Sequence, residues 1–328
     1  MSGSGRTAGK SPAWRKASAL LGLIGLCAIM SIVSDKFLSA NNLMNILSQI
    51  AVVSIVAAGM TFVILTGGID LSVGSVIGLA GVLSGHAMRQ VGNIPLAVAV
   101  CVLSGLIMGV INGYLIAYQK LPAFVATLGM MSVARSICFI ITQGKPISIF
   151  PREFRFFGAG YLSDLIGDVP VVGATPVIIL EIAIVFAVAW FLLAQRPFGR
   201  YIYSIGSNEN ATRLAGIDTD FHKLSAYAIC GLLTGFAGLL FMGRINSAHP
   251  TGGVSYEMNA IAAVVIGGTS LAGGSGSIGG TLIGALIMGV ISNGLNLLNV
   301  DSYWQGVVLG VAIILAVLVD IKSKRQNA

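Results

Sequence analysis

Two long apolar runs of this chain are separated at residues 66–75 by the sequence TGGIDLSVGS. The adjacent Gly67 and Gly68 each weaken a helix by about 1 kcal/mol relative to Ala, so helix is expected to end here. Asp70 or Ser72 is suited to cap the helix that follows. A carboxylate set between apolar runs needs water, a capping role or a function. The sequence therefore predicts a helix break, with Asp70 either as a cap or as a residue of a transport pathway.

The composition of the chain indicates which class of protein contains this break. The chain has 328 residues, of which 55% are hydrophobic and only 9% are charged, and its mean hydropathy is +0.90. Soluble domains carry about 25% charged residues. The apolar runs are apolar on every face, whereas a membrane barrel would show period-2 alternation. We therefore predict an all-α, polytopic membrane protein.

The apolar runs predict about ten transmembrane helices, since a hydrocarbon core of about 30 Å needs ~20 residues of helix. The runs lie at residues 19–33, 46–65, 73–88, 94–117, 124–141, 177–194, 224–242, 260–271, 277–296 and 303–319. Two of them, 73–88 and 260–271, are short and adjoin glycine-rich breaks. Either is expected to be a broken or half helix that ends inside the protein.

The distribution of positive charge predicts the orientation. With ten spans, 12 of the 19 Lys and Arg residues lie on the side of the N-terminus and six lie on the other side. Basic residues are enriched in cytoplasmic segments, so both termini are expected in the cytoplasm. Topology accounts for the net charge of +7, and a nucleic-acid partner is unnecessary.

The chain divides into three parts on this basis. Residues 1–18 form a basic cytoplasmic tail, 19–319 a single transmembrane domain, and 320–328 a cytoplasmic C-terminal tail. The longest outer loop, about 142–175, mixes charges and prolines. It is either a loop that covers the helix ends or a docking site for an external partner.

The longest inner segment, about 195–223, contains signals for a short helix. Ser207 or Asn208 can cap its start, Glu209 adds negative charge to its first turn, and Gly216 favours a left-handed stop. The expected helix has two turns and is about 10 Å long. It is either a helix that a partner protein grips or a surface helix that completes a loop.

Motifs for chemistry are weak or incomplete. The four cysteines lie inside apolar runs without paired spacing, which indicates neither disulfides nor a metal site. Residues 4–11 approach a phosphate-binding loop but begin with Ser4, and the GSGSIG sequence at 274–279 has no preceding strand. We expect no catalytic residue, no metal site and no cofactor in this chain.

Several polar side chains fall inside the apolar runs. Arg135 lies in the middle of a run and is expected to face the bundle interior or an aqueous cavity. Glu181 lies near the outer end of its run and is expected to reach the interface. Three amides, Asn112, Asn293 and Asn296, are suited either to sugar hydroxyls or to hydrogen bonds between helices.

Long motifs carry a resemblance to a known family. They are GMTFVIL at 59–65 leading into 66–75, GRYIY at 199–203, GSNE at 206–209, AGI at 215–217, AAVVIGGTSLAGG at 262–274 and NGLNLL at 293–298. Over nearly its whole length the chain resembles the monosaccharide permeases of bacterial ABC importers. At Gly67 it departs from the ribose-carrying members, which have serine there.

The resemblance implies a multi-pass permease of the bacterial inner membrane with no enzymatic role of its own. The implied substrate is ribose or a similar pentose or hexose, and the implied permease is a homodimer. Its implied partners are a periplasmic sugar-binding protein and a cytoplasmic ABC ATPase, which holds the ATP and Mg²⁺. An alternative is an ion-coupled secondary sugar transporter that uses Asp70.

The resemblance also implies roles for two sets of residues. The helix that couples to the ATPase would contain Gly206, Asn208, Glu209, Ala211, Ala215 and Gly216. The translocation pathway or its helix break would contain Gly67, Gly68, Asp70, Ser72, Asn112, Arg135, Asn293 and Asn296.

Overall fold

The computed structural model describes residues 13–167 and 173–325, and they are almost entirely helical. The helices, in order, are α1 (Ala13–Val33), α2 (Ala40–Leu65), α3 (Val73–Val91), α4 (Ile94–Ala117), α5 (Ala123–Thr142), α6 (Arg152–Ala159), α7 (Ser163–Ile166), α8 (Val177–Ala194), α9 (Pro197–Ser207), α10 (Glu209–Leu214), α11 (Thr219–Ile245), α12 (Tyr256–Ile266), α13 (Ile278–Leu297) and α14 (Ser302–Arg325). The predicted basic tail before Ala13 and residues 326–328 lie outside the described residues.

Six of the described helices are long and apolar enough to cross a membrane: α2, α4, α5, α8, α11 and α13. Shorter apolar helical stretches lie at Ala19–Val33 and Tyr256–Ile266. Each of the ten predicted runs overlaps a helix. The prediction of an all-α polytopic membrane protein is confirmed, while the count of ten spans and the side of the termini stay predictions.

Glycines allow α4 and α11 to approach each other closely. A Cβ placed on Gly105 of α4 would lie 2.4 Å from the carbonyl oxygen of Gly231 on α11. In the reverse direction, a Cβ on Gly231 would lie 2.4 Å from the carbonyl of Gly105. Small residues permit such backbone contact between membrane helices. As a result α11 lies at the centre of the bundle, with α2 and α3 also against it.

Two helices end in left-handed glycines at the predicted breaks. After α2, Gly67 has φ +81° and the amide of Gly68 donates to the carbonyl of Val63. After α12, Gly268 has φ +87° and the amide of Thr269 donates to Val264. Both satisfy carbonyls that a helix end would leave free.

The second break corrects one predicted boundary. The run at 260–271 predicts helix up to residue 271, but α12 ends at Ile266 because the left-handed Gly268 turns the chain. α12 has 11 residues and is about 16 Å long, shorter than the ~30 Å hydrocarbon core. It is a half helix, as the short run indicates.

The outer segment is an ordered structure where it is described. Its strand β1 (Ile147–Ser148) pairs antiparallel with β2 (Ser247–Ala248), which follows α11. Phe154 of α6 is fully buried, and a Cβ on Gly158 would lie 2.2 Å from the carbonyl of Leu240. Residues 142–167 are therefore packed onto α11. Residues 168–172 of this loop lie outside the described part of the chain.

Candidate functional site

Three segments meet at the end of α2, at a contact that we call the glycine junction: residues 65–68, Gly206 and 273–274. The amide of Gly274 donates to the carbonyl of Leu65 at 3.0 Å. A Cβ on Gly206 would lie 1.9 Å from the same carbonyl oxygen. Gly206 lies on α9, directly before the short helix α10. The two helix breaks and the inner segment thus form one contact that a larger side chain at Gly206 would block.

The short helix of the inner segment is present, and its local features are those predicted. Asn208 caps α10, because its side-chain oxygen accepts the amide of Ala211 at 2.9 Å. Ala215 follows the last helical residue and Gly216 has φ +82°. Leu214, on the last turn, is 90% exposed. α10 therefore projects an apolar side chain away from the rest of the chain.

Ion pairs join α10 to the start of α11, and the start of α11 to the α4–α5 turn, and we call them the α10 clamp. Glu209 pairs with Lys223 at 2.5 Å, and Arg213 pairs with Asp220 at 2.8 Å. Asp220 also accepts from Lys120, in the α4–α5 turn, at 2.6 Å. Exposed pairs contribute about 0–1 kcal/mol each, so their effect is chiefly to orient α10.

Tyr227 links α11 to the first helix break. Its hydroxyl donates to the carbonyl of Ile69 at 3.2 Å, and its side chain is 1% exposed. A Cβ on Gly68 would lie 2.4 Å from that hydroxyl oxygen. Lys223 of the clamp lies one turn earlier on α11. One face of α11 therefore contacts both α10 and the break.

Asp70 is buried and bonded within the protein. It is 2% exposed, and its Oδ1 accepts the backbone amide of Ser72 at 2.9 Å and the Ser72 hydroxyl at 2.6 Å. The amide of Asn112, on α4, donates to Ser72 Oγ at 2.9 Å. Ser72 is the N-cap residue of α3, but neither side chain bonds to the amides of the first helical turn. Asp70 therefore shapes the turn before α3 rather than capping the helix.

The other predicted pathway residues also have protein partners. Arg135 of α5 donates to the carbonyls of Pro250 and Gly252 at 2.6 and 2.8 Å, and so holds the loop before α12. Asn293 exchanges two amide hydrogen bonds with Asn42, at 2.9 and 3.0 Å. These bonds join loops and helices, and a role in substrate passage stays a prediction.

Asn296 and Glu181 complete the predicted polar set. Asn296 accepts from Gln305 at 2.8 Å and so connects α13 to α14. Oε2 of Glu181 is buried and makes no hydrogen bond to any residue in the described ranges. That Glu181 reaches the membrane interface stays a prediction.

Sequence reasoning missed most of the α10 clamp and the role of Tyr227. The side chains of Lys120, Lys223 and Tyr227, with Glu209, line a cavity of about 270 Å³ beside Gly67 and Gly68. A usable signal was present, since Asp218, Asp220 and Lys223 cluster at the start of a long apolar run. The pairing of Asp220 with Lys120, however, depends on the α4–α5 turn, which lies 100 residues earlier in the chain. Within the described ranges, no cluster of three or more His, Cys, Asp or Glu side chains is arranged to hold a metal.

A family model described as branched-chain amino acid transport system, permease component, matches residues 42–317. This chain belongs to that permease family. The match spans both helix breaks, the glycine junction and the α10 clamp. The permease is a multi-pass protein of the bacterial inner membrane, which agrees with its six long apolar helices.

Full-length relatives of the permease are similar to it from end to end. The ribose import permease protein of Escherichia coli K12 is 47% identical over 309 residues, which are 93% of each chain. That of Bacillus subtilis 168 is 44% identical, over 94% of each chain. The fructose import permease protein of Rhizobium meliloti is 38% identical, over 91% of the permease and 82% of the relative. No solved structure matches the permease.

Proposed function

We propose that this chain is the transmembrane subunit of an ABC importer that passes ribose or a similar pentose or hexose, driven by ATP hydrolysis on a partner ATPase. Relatives named ribose import permease are 44–47% identical over more than nine tenths of the chain. The family description names branched-chain amino acids. Sugar is favoured because the relatives named for ribose, xylose and fructose all match along nearly the whole chain.

The observation that carries this proposal is α10. It is a capped helix that the clamp holds in one orientation, and Leu214 at its end is 90% exposed. An apolar residue at the tip of a polar helix is an anchor for a partner pocket. In this proposal the partner is the cytoplasmic ATPase, and the contact residues include Asn208, Glu209, Ala211 and Ala215.

The clamp and the glycine junction supply a route from the ATPase to the membrane helices. ATP binding would move α10, and α10 pulls on α11 through Glu209 and Lys223. α11 contacts the break at Ile69 through Tyr227. A partner shifts such an equilibrium only by contacting its two states differently, so the ATPase would grip α10 differently with and without ATP.

The outer face presents a separate surface for the sugar-binding protein. A cleft of about 770 Å³ is lined by Arg152, Glu153 and Arg155 of α6, Asp164 of α7 and Tyr161 between the two helices. The segment is fixed to α11 through Phe154 and Gly158, so docking there would act on the same central helix. A second copy of the permease would complete the importer as a homodimer.

The proposal is tested by uptake of radiolabelled D-ribose at low concentration in a strain from which the gene for this chain is deleted. We expect the deletion to abolish high-affinity uptake and a plasmid copy to restore it. Unchanged uptake would contradict the proposal. L-leucine uptake in the same strains tests the amino-acid alternative.

Membrane vesicles distinguish the proposal from an ion-coupled carrier. Vesicles that contain the complete importer are loaded with ATP, or given an ion gradient without ATP. We expect D-ribose uptake only with ATP. Uptake driven by the gradient alone would indicate a secondary transporter that uses Asp70.

A further inference from the structure

A small cavity between α2, α12, α13 and α14 differs from the rest of the bundle interior. Its volume is about 150 Å³. Neutral polar side chains from three helices line it: Gln49 of α2, Asn259 of α12 and Ser292 of α13. Tyr256 adds an aromatic side chain beside them. Apolar residues, including Met288 and Leu309, form the remaining wall.

Gln49, Asn259 and Ser292 lack a side-chain partner in the part of the chain that the structure describes, since none of the three side chains makes a hydrogen bond there. By contrast, the side-chain NH₂ groups of Asn112 and Asn293 donate hydrogen bonds within the bundle, and of these two amides only Asn112 leaves its oxygen, Oδ1, without a partner in the described ranges. Polar groups inside a membrane domain are costly when unpaired, and those that face a cavity are candidates for a substrate pathway.

The location of the cavity agrees with substrate entering from the outer face. Asn259 lies in the first turn of α12, which follows β2 and so begins beside the outer segment. Gln49 lies 16 residues before the end of α2 at Leu65, about 24 Å along the helix from the glycine junction. α12 is a half helix, and transporters form substrate sites at discontinuous helices.

The chemistry of the lining indicates a neutral polyhydroxy ligand. Two amides and a hydroxyl supply both donors and acceptors, and no charged residue lines the cavity. An amino acid would leave its ammonium and carboxylate groups without ionic partners there. The ring of Tyr256 is held edge-on by Phe241, with centroids 5.6 Å apart, and offers an apolar surface. Few placed polar groups on an apolar wall are typical of small-molecule sites.

We infer that Gln49, Asn259 and Ser292 form a contact site for sugar hydroxyls on the outer half of the translocation pathway. The inference rests on the proposed function. A volume of about 150 Å³ is below the usual range for a complete ligand pocket, so the cavity contacts one part of the sugar during its passage.

The test measures transport and ATP hydrolysis separately, in proteoliposomes that contain the permease with its ATPase and binding protein. Asn259→Ala and Gln49→Ala are each expected to reduce D-ribose uptake about fivefold, the effect of losing one neutral hydrogen bond. ATP hydrolysis stimulated by the binding protein should stay at the wild-type rate, because docking is unaffected. Uptake per ATP therefore falls.

Two control variants remove similar groups elsewhere. Gln90→Ala removes an exposed amide at the end of α3, and Ser132→Ala removes an exposed hydroxyl of α5 that bonds only to its own helix. Both should keep wild-type uptake per ATP. Wild-type uptake in Asn259→Ala and Gln49→Ala would overturn the inference. An inactive wild-type importer would instead contradict the proposed function.

A labelling experiment covers the case in which an alanine variant does not fold. Asn259→Cys is treated with a neutral methanethiosulfonate reagent. The wild-type permease, treated in the same way, is the control for labelling of the native cysteines. We expect labelling to stop uptake and D-ribose to slow the labelling. Labelling at the same rate with D-ribose and with L-leucine would overturn the inference.

Discussion

Lys223 and Tyr227 lie one turn apart on α11, and they contact α10 and the break after α2, respectively. Lys223 Nζ reaches Glu209 of α10 at 2.5 Å, and the Tyr227 hydroxyl reaches the carbonyl of Ile69 at 3.2 Å. Residues four apart lie on the same face of a helix. One face of α11 therefore contacts both α10 and the break between α2 and α3, as the proposed function requires.

The Tyr227 hydroxyl can be removed while its ring is kept. We expect Tyr227→Phe to reduce sugar uptake per ATP about three- to tenfold, because the neutral hydrogen bond to Ile69 contributes ~1 kcal/mol and transmits the movement. The ATPase should still co-purify. Tyr118→Phe, an exposed tyrosine at the end of α4, is the control. Equal sugar uptake per ATP in the two variants would contradict the proposed route from α10 through α11 to the helix break.

Gly206 is expected to tolerate no side chain. A Cβ there would lie 1.9 Å from the carbonyl oxygen of Leu65. Gly206→Ala must therefore push α9 away from the end of α2. Such overpacking costs about 1–3 kcal/mol. We predict a thermal unfolding midpoint lower by several degrees in detergent, together with loss of transport. Gly279→Ala, whose Cβ would meet no atom within 4 Å, should keep both; a similar loss there would refute the steric argument.

The exposed tip of α10 is tested with a charge. Leu214 is 90% exposed, so Leu214→Asp should leave the thermal midpoint unchanged. Co-purification of the ATPase should be lost, because an apolar anchor becomes a buried charge in the complex. Leu298→Asp, at the end of α13, is the control variant. If the ATPase still co-purified with Leu214→Asp, α10 would not be part of the interface with the ATPase.

The α10 clamp is tested by a double-mutant cycle on Glu209 and Lys223. Glu209→Ala and Lys223→Ala should each weaken ATPase co-purification, and the double variant should be no worse than the more severe single variant. The coupling energy should be about 0.2–1 kcal/mol and should fall in high salt, as for other partly exposed pairs. Strict additivity would show that the pair does not orient α10.

Asp164 is expected to make the outer segment sensitive to acid. The backbone amide of Tyr161 and then the guanidinium of Arg152 hold the pKa of its carboxyl below the usual range. A lowered folded pKa means that its stabilising effect is present above the unfolded value of about 3.9 and is lost as pH falls through the folded value.

We therefore expect the amides of α6 and α7 to show faster opening in hydrogen exchange below about pH 4, after correction for the intrinsic pH dependence of exchange. In Asp164→Asn, the amides of α6 and α7 should open at the same rate above and below this pH. Acid-induced opening that persists in Asp164→Asn would assign the effect to another group.

Much of the architecture was determined by local sequence. The apolar runs specify helices because each must satisfy its backbone polar groups internally in a membrane. The glycine pair at 67–68 specifies a helix end because glycine readily adopts positive φ. The pair at 267–268 acts in the same way, although the run at 260–271 predicted helix beyond it. The cap at Asn208 and the stop at Gly216 were equally visible, since both act within one helical turn. The motifs also indicated the permease family before any contact was known.

Only the tertiary structure decided which polar groups find partners. Asp70, Arg135 and Asn293 look like pathway residues in sequence, but each bonds to a group that lies elsewhere in the bundle. Gln49 and Asn259 look no more functional than their neighbours, yet they face a cavity and make no side-chain hydrogen bond to the residues that the structure describes. Sequence reports which side chains can hydrogen-bond, whereas satisfaction depends on packing between segments far apart in the chain.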